Sequence, residues 1–336
     1  METIDTYSNK TLALPGVGRM PTTDSAIGTG LAFLRGELEK RDPRLLEPLV
    51  NIDWPRDIVA KTGGGWSEFS SNTFVDYAGT GGSNKGIIGG QTNNIPIVQG
   101  NITKDIFKVF TWSNILKVPF VDQSKMQTIG RSLDQIYDKG LRLNYNKTID
   151  FLVYQGWDKE DIYGLVNNPQ VTASLVDAGA STETKWSKKT ADEILHDINQ
   201  VINDTWANSE YDITGMANHI LIPPAQYTDI VSRKVSEAGN VSILEYLLKN
   251  NIANNQGRQL AIVPSRWCIG AGTGGTDRMV AYVNDDDRVN FDLPVPLSRG
   301  MSSPDVKELS YLTAYVAQIS QVKILYYQCF RYRDGI

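Results

Sequence analysis

Apolar residues recur along this chain with two periods, and the change from one to the other divides it. Met126, Ile129, Leu133, Ile136, Tyr137, Leu141, Tyr145, Ile149 and Leu152 step mostly by three or four, which puts them on one face of a helix. The pattern predicts a single helix over 122–155, capped by Asp122 or Ser124 after Pro119 and some 45–50 Å long at the standard rise. Its core positions are Met126, Ile129, Leu133, Ile136, Tyr137 and Ile149. Gly140 and the shortage of clean heptads favour packing on a sheet over a coiled coil.

Upstream, residues 1–30 are rich in Gly, Ser, Thr and Pro without periodicity and read as an extended arm. Leu31–Glu39 reads as a short helix, and Pro48 and Pro55 keep 45–58 extended or turned. Between Lys61 and Gly100, glycines cluster around 63–65, 79–82 and 86–90, with Trp66, Phe69, Phe74, Val75 and Tyr77 among them. This predicts a two-stranded finger with a glycine-rich tip. An isolated hairpin is marginal in water, so Trp66, Phe69, Phe74 and Tyr77 need a surface outside the subunit. The alternative is a floppy surface loop.

Ile106–Phe120 is β-like, and Gly164–Pro169 (GLVNNP) is a turn. Thr190 with Glu193 forms a capping box heading a helix whose face carries Ile194, Leu195, Ile198, Val201, Ile202 and Trp206. His219–Ile222 is a short strand, Pro223 or Pro224 opens a helix to about Ser236, and Ser242 with Glu245 heads another over 243–248. Strands at 259–263 and 278–283 complete an α/β unit spanning about 175–287. From Val289 to Tyr332 the chain alternates strand-like, as in Tyr311, Thr313, Tyr315, Ala317 and Ile319. The chain is thus expected to close on a sheet that carries the long helix.

With 336 residues, 41% hydrophobic and 21% charged, one large or two intimately joined domains are expected. The net charge of -5 argues against a sequence-reading nucleic-acid binder. Cys268 and Cys329 are the only cysteines, which excludes a disulfide framework or thiolate zinc site. No apolar run reaches the length of a membrane span, and Met1–Met20 lacks the order of a signal peptide, so no membrane contact and a cytosolic chain are expected.

Gly270–Gly275 fits G-x-G-x-x-G after a strand, but a strand follows instead of the helix a pyrophosphate requires, so a glycine-rich hairpin turn is expected. Gly79–Lys85 lacks the Gly before Lys and the Ser or Thr after it that a phosphate loop needs. Asp285–Asp287 reads as a solvated turn rather than a calcium site. His196 in mid-helix and His219 at a strand edge belong to no motif. No catalytic residue, cofactor or metal is predicted; an α/β nucleotide-binding enzyme using 270–275 is the least favoured reading.

The order of these parts resembles the major capsid proteins of tailed bacteriophages, the Hong Kong 97-type fold shared with encapsulin shell proteins. Gly164–Pro169 looks like the "GLLN-x-P" segment that follows their spine helix, and Arg331–Ile336 (RYRDGI) is similar to the last strand of one capsid-like phage subfamily. The resemblance implies an α+β fold. It has an N-terminal arm (1–55), an extended β-hairpin loop (56–104), and a peripheral domain (105–174 and 288–336) holding the spine helix (122–155). An α/β axial domain (175–287) completes it.

It further implies a structural protein, not an enzyme, self-assembling as pentamers and hexamers into an icosahedral head shell around double-stranded DNA touched weakly and non-specifically. Portal and separate scaffolding proteins are the implied partners, and the virion, assembled in the host bacterial cytoplasm, the implied location. The 55 residues of the arm are too few to fold as a fused scaffold. An encapsulin-type nanocompartment is the alternative. Some relatives cross-link a loop Lys to a neighbour's Asn. Lys85, at the loop tip among the inter-subunit contact residues, is the candidate, but no acceptor Asn and catalytic Glu can be matched, so no covalent bond is expected.

Overall fold

The computed structural model describes residues 48–79, 97–128, 130–236 and 240–336. Most of the expected arm, the helix expected at 31–39, the loop tip with Lys85, and Ile129 lie outside them.

A one-turn helix, α1 (Trp54–Asp57), has Pro55 in its first turn and leads into β1 (Val59–Thr62). The hairpin follows as β2 (Phe69–Gly79) and β3 (Val98–Pro119), antiparallel and unbroken from Phe69 opposite Lys108 to Gly79 opposite Val98. β3 has 22 residues, roughly 70 Å of strand, and only its first half belongs to the finger. From Val109, opposite Ser320, to Pro119, opposite Ser310, the same strand pairs inside a sheet. One continuous strand therefore both carries the finger and roots it.

The helix predicted over 122–155 is two helices, α2 (Phe120–Thr128) and α3 (Leu133–Tyr154). Gly130 stands at φ 73°, a left-handed conformation that stops α2, and Arg131 N–H donates back to Met126 O at 3.0 Å. Ser132 Oγ accepts from Gln135 N and starts α3. The apolar spacing runs through the break because Met126 and Leu133 both pack against Leu116, Val118 and Tyr315 of the sheet. Leu133, Leu141, Tyr145, Ile149, Val153 and Tyr154 are buried on α3. Met126 and Ile136 are half-buried, and Tyr137 is 40% exposed, so it is not a core residue of the subunit. At that turn Asp138 meets the sheet instead, accepting from Tyr315 OH at 2.5 Å.

After α3 come a small ribbon, β4 (Gly156–Trp157) and β5 (Ile162–Tyr163), and β6 (Ala173–Leu175). Then follow α4 (Ala191–Asn208), β7 (His219–Ile222), α5 (Pro224–Ser232), α6 (Ile243–Asn250) and α7 (Ile252–Asn255). The strands β8 (Ala261–Pro264), β9 (Arg278–Tyr282), β10 (Val289–Leu293), β11 (Val295–Asp305), β12 (Ser310–Ser320), β13 (Lys323–Ile324) and β14 (Phe330–Asp334) complete the described chain. The Thr190/Glu193 capping box heads α4 with both bonds made, and Ser242 Oγ caps α6 from Glu245 N. α5 ends at Ser232 rather than near Ser236, because Arg233 is already extended.

Sheet orders are β1-β10-β13, β11-β12-β3-β2, and β6-β14-β9-β7-β8. β14 pairs antiparallel with β9, Tyr332 opposite Val280, so the last strand belongs to the α/β unit and not to the returning sheet expected over 288–336. It is paired on both sides, with β6 and β9, and its Phe330 and Tyr332 are buried. β7 separates β8 from β9, so the 270–275 glycines do not form the expected hairpin turn. One core joins Tyr145, Ile149 and Val153 of α3 to β9, β10, β12 and β14. A second fills the α/β unit under Ile194, Ile198, Val201 and Ile202 of α4.

Candidate functional site

Residues directly opposite in an antiparallel ladder share a face, so the register sorts the finger into two. One face carries Phe69, Val75 and Tyr77 of β2 with Val98, Ile102 and Ile106 of β3, beside Ser71, Thr73 and Lys104. All six apolar side chains are exposed, Tyr77 at 78% and Ile102 at 70%. The opposite face carries Ser70, Asn72, Phe74 and Asp76 with Asn101, Thr103, Asp105 and Phe107. That polar face turns toward the body of the subunit. Phe74 meets Tyr326 edge-on with centroids 6.0 Å apart, Lys323 Nζ lies 5.6 Å from the Phe107 ring, and Ser70 Oγ donates to Asp292. The usual arrangement of a half-buried hairpin, apolar side inward, is inverted.

Of the contact residues expected from sequence, Trp66, Phe69 and Tyr77 are exposed, whereas Phe74 packs on its own chain. Val75, Val98, Ile102 and Ile106 complete the patch and were missed as contact residues. The available signal was the shared even parity of Val98, Ile102 and Ile106, which puts them on one face of a strand.

The root of the finger is held by buried carboxylates for which the sequence offers no motif. Asp57 is fully buried: Arg56 Nε donates to Oδ1 at 2.6 Å and Nη2 to Oδ2 at 2.9 Å, Tyr154 OH donates to Oδ2, and His219 Nε2 lies 3.1 Å from Oδ1. Burial opposes its charge, but the hydrogen bonds from Arg56, His219 and Tyr154 outweigh it and hold the carboxyl below its ordinary value. Asp150 of α3 accepts Asp53 N at 3.1 Å and Trp54 N at 3.2 Å on Oδ1, and Arg266 Nη2 and Trp267 Nε1, both at 3.0 Å, on Oδ2. These two carboxylates tie the segment before β1 to α3 and to the α/β unit.

The two short motifs singled out in the sequence meet each other. Tyr332 OH donates to Leu165 O at 2.7 Å and accepts from Asn168 N at 3.1 Å. Arg278 forks onto Asp334, Nε to Oδ1 at 2.7 Å and Nη2 to Oδ2 at 3.0 Å, while its Nη1 donates to Val166 O at 2.7 Å. Burial raises the Asp334 carboxyl, and the bonds from Arg278 and Thr273 more than reverse this, leaving it lowered. Thr273, inside the glycine segment, donates to Asp334 from both N and Oγ1, so that segment braces the last strand.

Among the described residues no group of three or more His, Cys, Asp or Glu is placed to hold a metal ion, and no helix is long and apolar enough to cross a membrane. Asp285 pairs with Arg258 at 2.9 Å, and His196 is exposed on α4. His219, expected at a strand edge, is buried against Asp57.

The family model for the major capsid protein matches residues 84–336. The chain belongs to that family. No curated protein matches it. Among solved structures, the capsid of Myoviridae phage XM1 is similar at TM-score 0.73 and 18% identity, over 90% of this chain and 98% of that one. A structure from Microbacterium phage Oxtober96 is similar at TM-score 0.59 and 12% identity, over 93% and 99%. The SrpI encapsulin of Synechococcus elongatus PCC 7942 follows at TM-score 0.53 and 12% identity, over 94% and 96%. The mixed helix-and-sheet fold of this capsid subunit is thus one that phage capsids and encapsulins share.

Proposed function

We propose that this subunit builds the icosahedral head shell of a tailed bacteriophage around double-stranded DNA, in the Hong Kong 97-type manner. In that reading residues 1–55 are the arm and the finger is the extended loop. α2 and α3 on the β11-β12-β3-β2 sheet make the peripheral domain, and the α/β unit is the axial domain around the local symmetry axis. The observation that carries the reading is the outward apolar face of the finger. Each such side chain contributes about 1.5–3 kcal/mol when covered, and a monomer leaves all six in water. Lying across a neighbouring subunit covers them, and repeated heterologous contacts that close make a shell. Portal and separate scaffolding proteins are the remaining partners, and an acidic chain, at net charge -5, keeps contact with DNA weak.

The test is Val98→Asp combined with Ile102→Asp. Both residues are exposed in the subunit, so thermal unfolding should change little while particles disappear from electron micrographs. Normal particles from the double variant would remove the finger from assembly. The fold likeness to an encapsulin supports a nanocompartment as the second reading. Nucleic-acid absorbance of purified native particles separates the two.

A further inference from the structure

The β11-β12-β3-β2 sheet has two edges, and the chain treats them differently. β11 is blunted: it carries Pro296 and Pro304, and its ladder to β12 slips twice, between Val295 and Ser298 and between Arg299 and Ser302. Prolines and bulges are the usual means of stopping an edge from recruiting another strand. β2 has none of them. Its 11 residues include no Pro, Lys or Arg, and its register with β3 is unbroken.

The phase of the ladder shows what this edge offers. Val109 N–H donates to Glu68 O at 3.3 Å, so residues 68, 70, 72, 74, 76 and 78 spend their backbone groups on β3. Those of Phe69, Ser71, Thr73, Val75, Tyr77 and Gly79 point away. Among the described residues no backbone group outside the ladder bonds to these outward N–H and C=O groups. A long, regular edge with unspent donors and acceptors is a template for one more strand.

We propose that β2 pairs edge to edge with β2 of a second copy of this chain, antiparallel about a two-fold axis through Thr73. The inference rests on the shell reading, in which copies of the subunit meet. The strand is self-complementary in this register: Phe69 faces Tyr77 of the partner subunit, Ser71 faces Val75 of the partner subunit, and Thr73 faces its own copy. Aromatic and Thr–Thr cross-strand pairs are favourable ones. Asp76, the only charge on the strand, meets Ser70 of the partner subunit, whereas a parallel in-register pairing would set Asp76 against Asp76. About ten backbone hydrogen bonds form. The axis stands perpendicular to the sheet, so the two apolar faces stay on one side as a single platform, continuous with the surface that the shell must cover. A tether between copies thereby uses main-chain bonds where a covalent cross-link is not expected.

The experiment uses the full chain carrying Thr73→Cys, assembled and then mildly oxidised. Directly opposed Cα atoms of a bonded pair lie about 5.5 Å apart, within disulfide range. Native Cys268 and Cys329 are buried, so the background should be low. The expected result is a band at twice the monomer mass on non-reducing gels that reductant removes, and its absence in Ser71→Cys, which faces Val75. Particles of Thr73→Cys that remain monomeric on the gel overturn the pairing while leaving the shell reading intact. If Thr73→Cys does not assemble, particles mixed from Ser71→Cys and Val75→Cys subunits replace it: a cross-link confined to the mixture supports the pairing, and its absence overturns it. A wild-type chain that forms no particles under any condition sinks the shell reading instead.

Discussion

Asp57 is a single side chain that joins three parts of the molecule, because Arg56, Tyr154 and His219 come from the segment before the finger, from α3 and from the central sheet of the α/β unit. Removing one partner of a buried ion pair costs about 3–5 kcal/mol, and the lower end applies because Arg56 is partly exposed. Asp57→Ala should therefore lower subunit stability by about 3 kcal/mol in chemical denaturation. The pH dependence has a definite sign. The carboxyls of Asp57 and Asp334 are held below their ordinary value of 3.8, so their stabilisation is complete above that pH and is lost as pH falls through the lower folded values. An acid-unfolding curve should show this limb, and Asp57→Asn should flatten it. An unchanged curve in Asp57→Asn would show that the carboxylate is not held as described.

The helical stretch shows how an element is set by a few positions. Ser132 supplies the N-cap of α3, a contact whose loss costs about 1 kcal/mol, so Ser132→Ala should lower the melting temperature by a few degrees. Within α3 the buried and exposed sides make opposite demands. Ile149, 1% exposed, cannot accept a charge, and Ile149→Asp should yield little soluble protein because an unpaired carboxylate would sit in the core. Tyr137→Asp should leave the subunit melting within about 0.5 kcal/mol of wild type, as surface changes do. Equal tolerance of the two substitutions would mean that α3 does not pack as described.

At the scale of the whole molecule, the finger stands out because its apolar face has no cover among the described residues. Its stability in a free subunit comes from the ladder and from the contacts of Ser70 near its base and Phe74 midway along it, which leaves the part beyond Phe74 open to local unfolding. Limited proteolysis of free subunits should cut first within the finger, and assembled particles should protect the same bonds. Equal cutting in both states would show that assembly leaves the finger uncovered.

The order of elements was legible in the sequence because periodicity is a local property. Strand-like residues over 106–120 exposed the second half of β3, alternation exposed β12, and the three-four spacing exposed the helical stretch. The capping pairs at Thr190 and Ser242 located two helix starts. Even Gly164–Pro169 and Arg331–Ile336 could be singled out, although nothing local showed that Tyr332 would close on Leu165 and Asn168. Tertiary structure alone decided the rest. Met126 and Leu133 keep their apolar spacing across the helix break because both touch the same strands, so periodicity could not reveal the break. β14 looked like its neighbours in sequence, and only the pairing with β9 put it in the α/β sheet. Asp57, Asp150 and His219 are ordinary polar residues until the fold buries them against partners, since burial and charge pairing act through distances that the chain does not record. The orientation of the finger has the same origin: alternation says that one face is apolar, but which face meets the body is settled by Phe74, Phe107 and Ser70 finding Tyr326, Lys323 and Asp292.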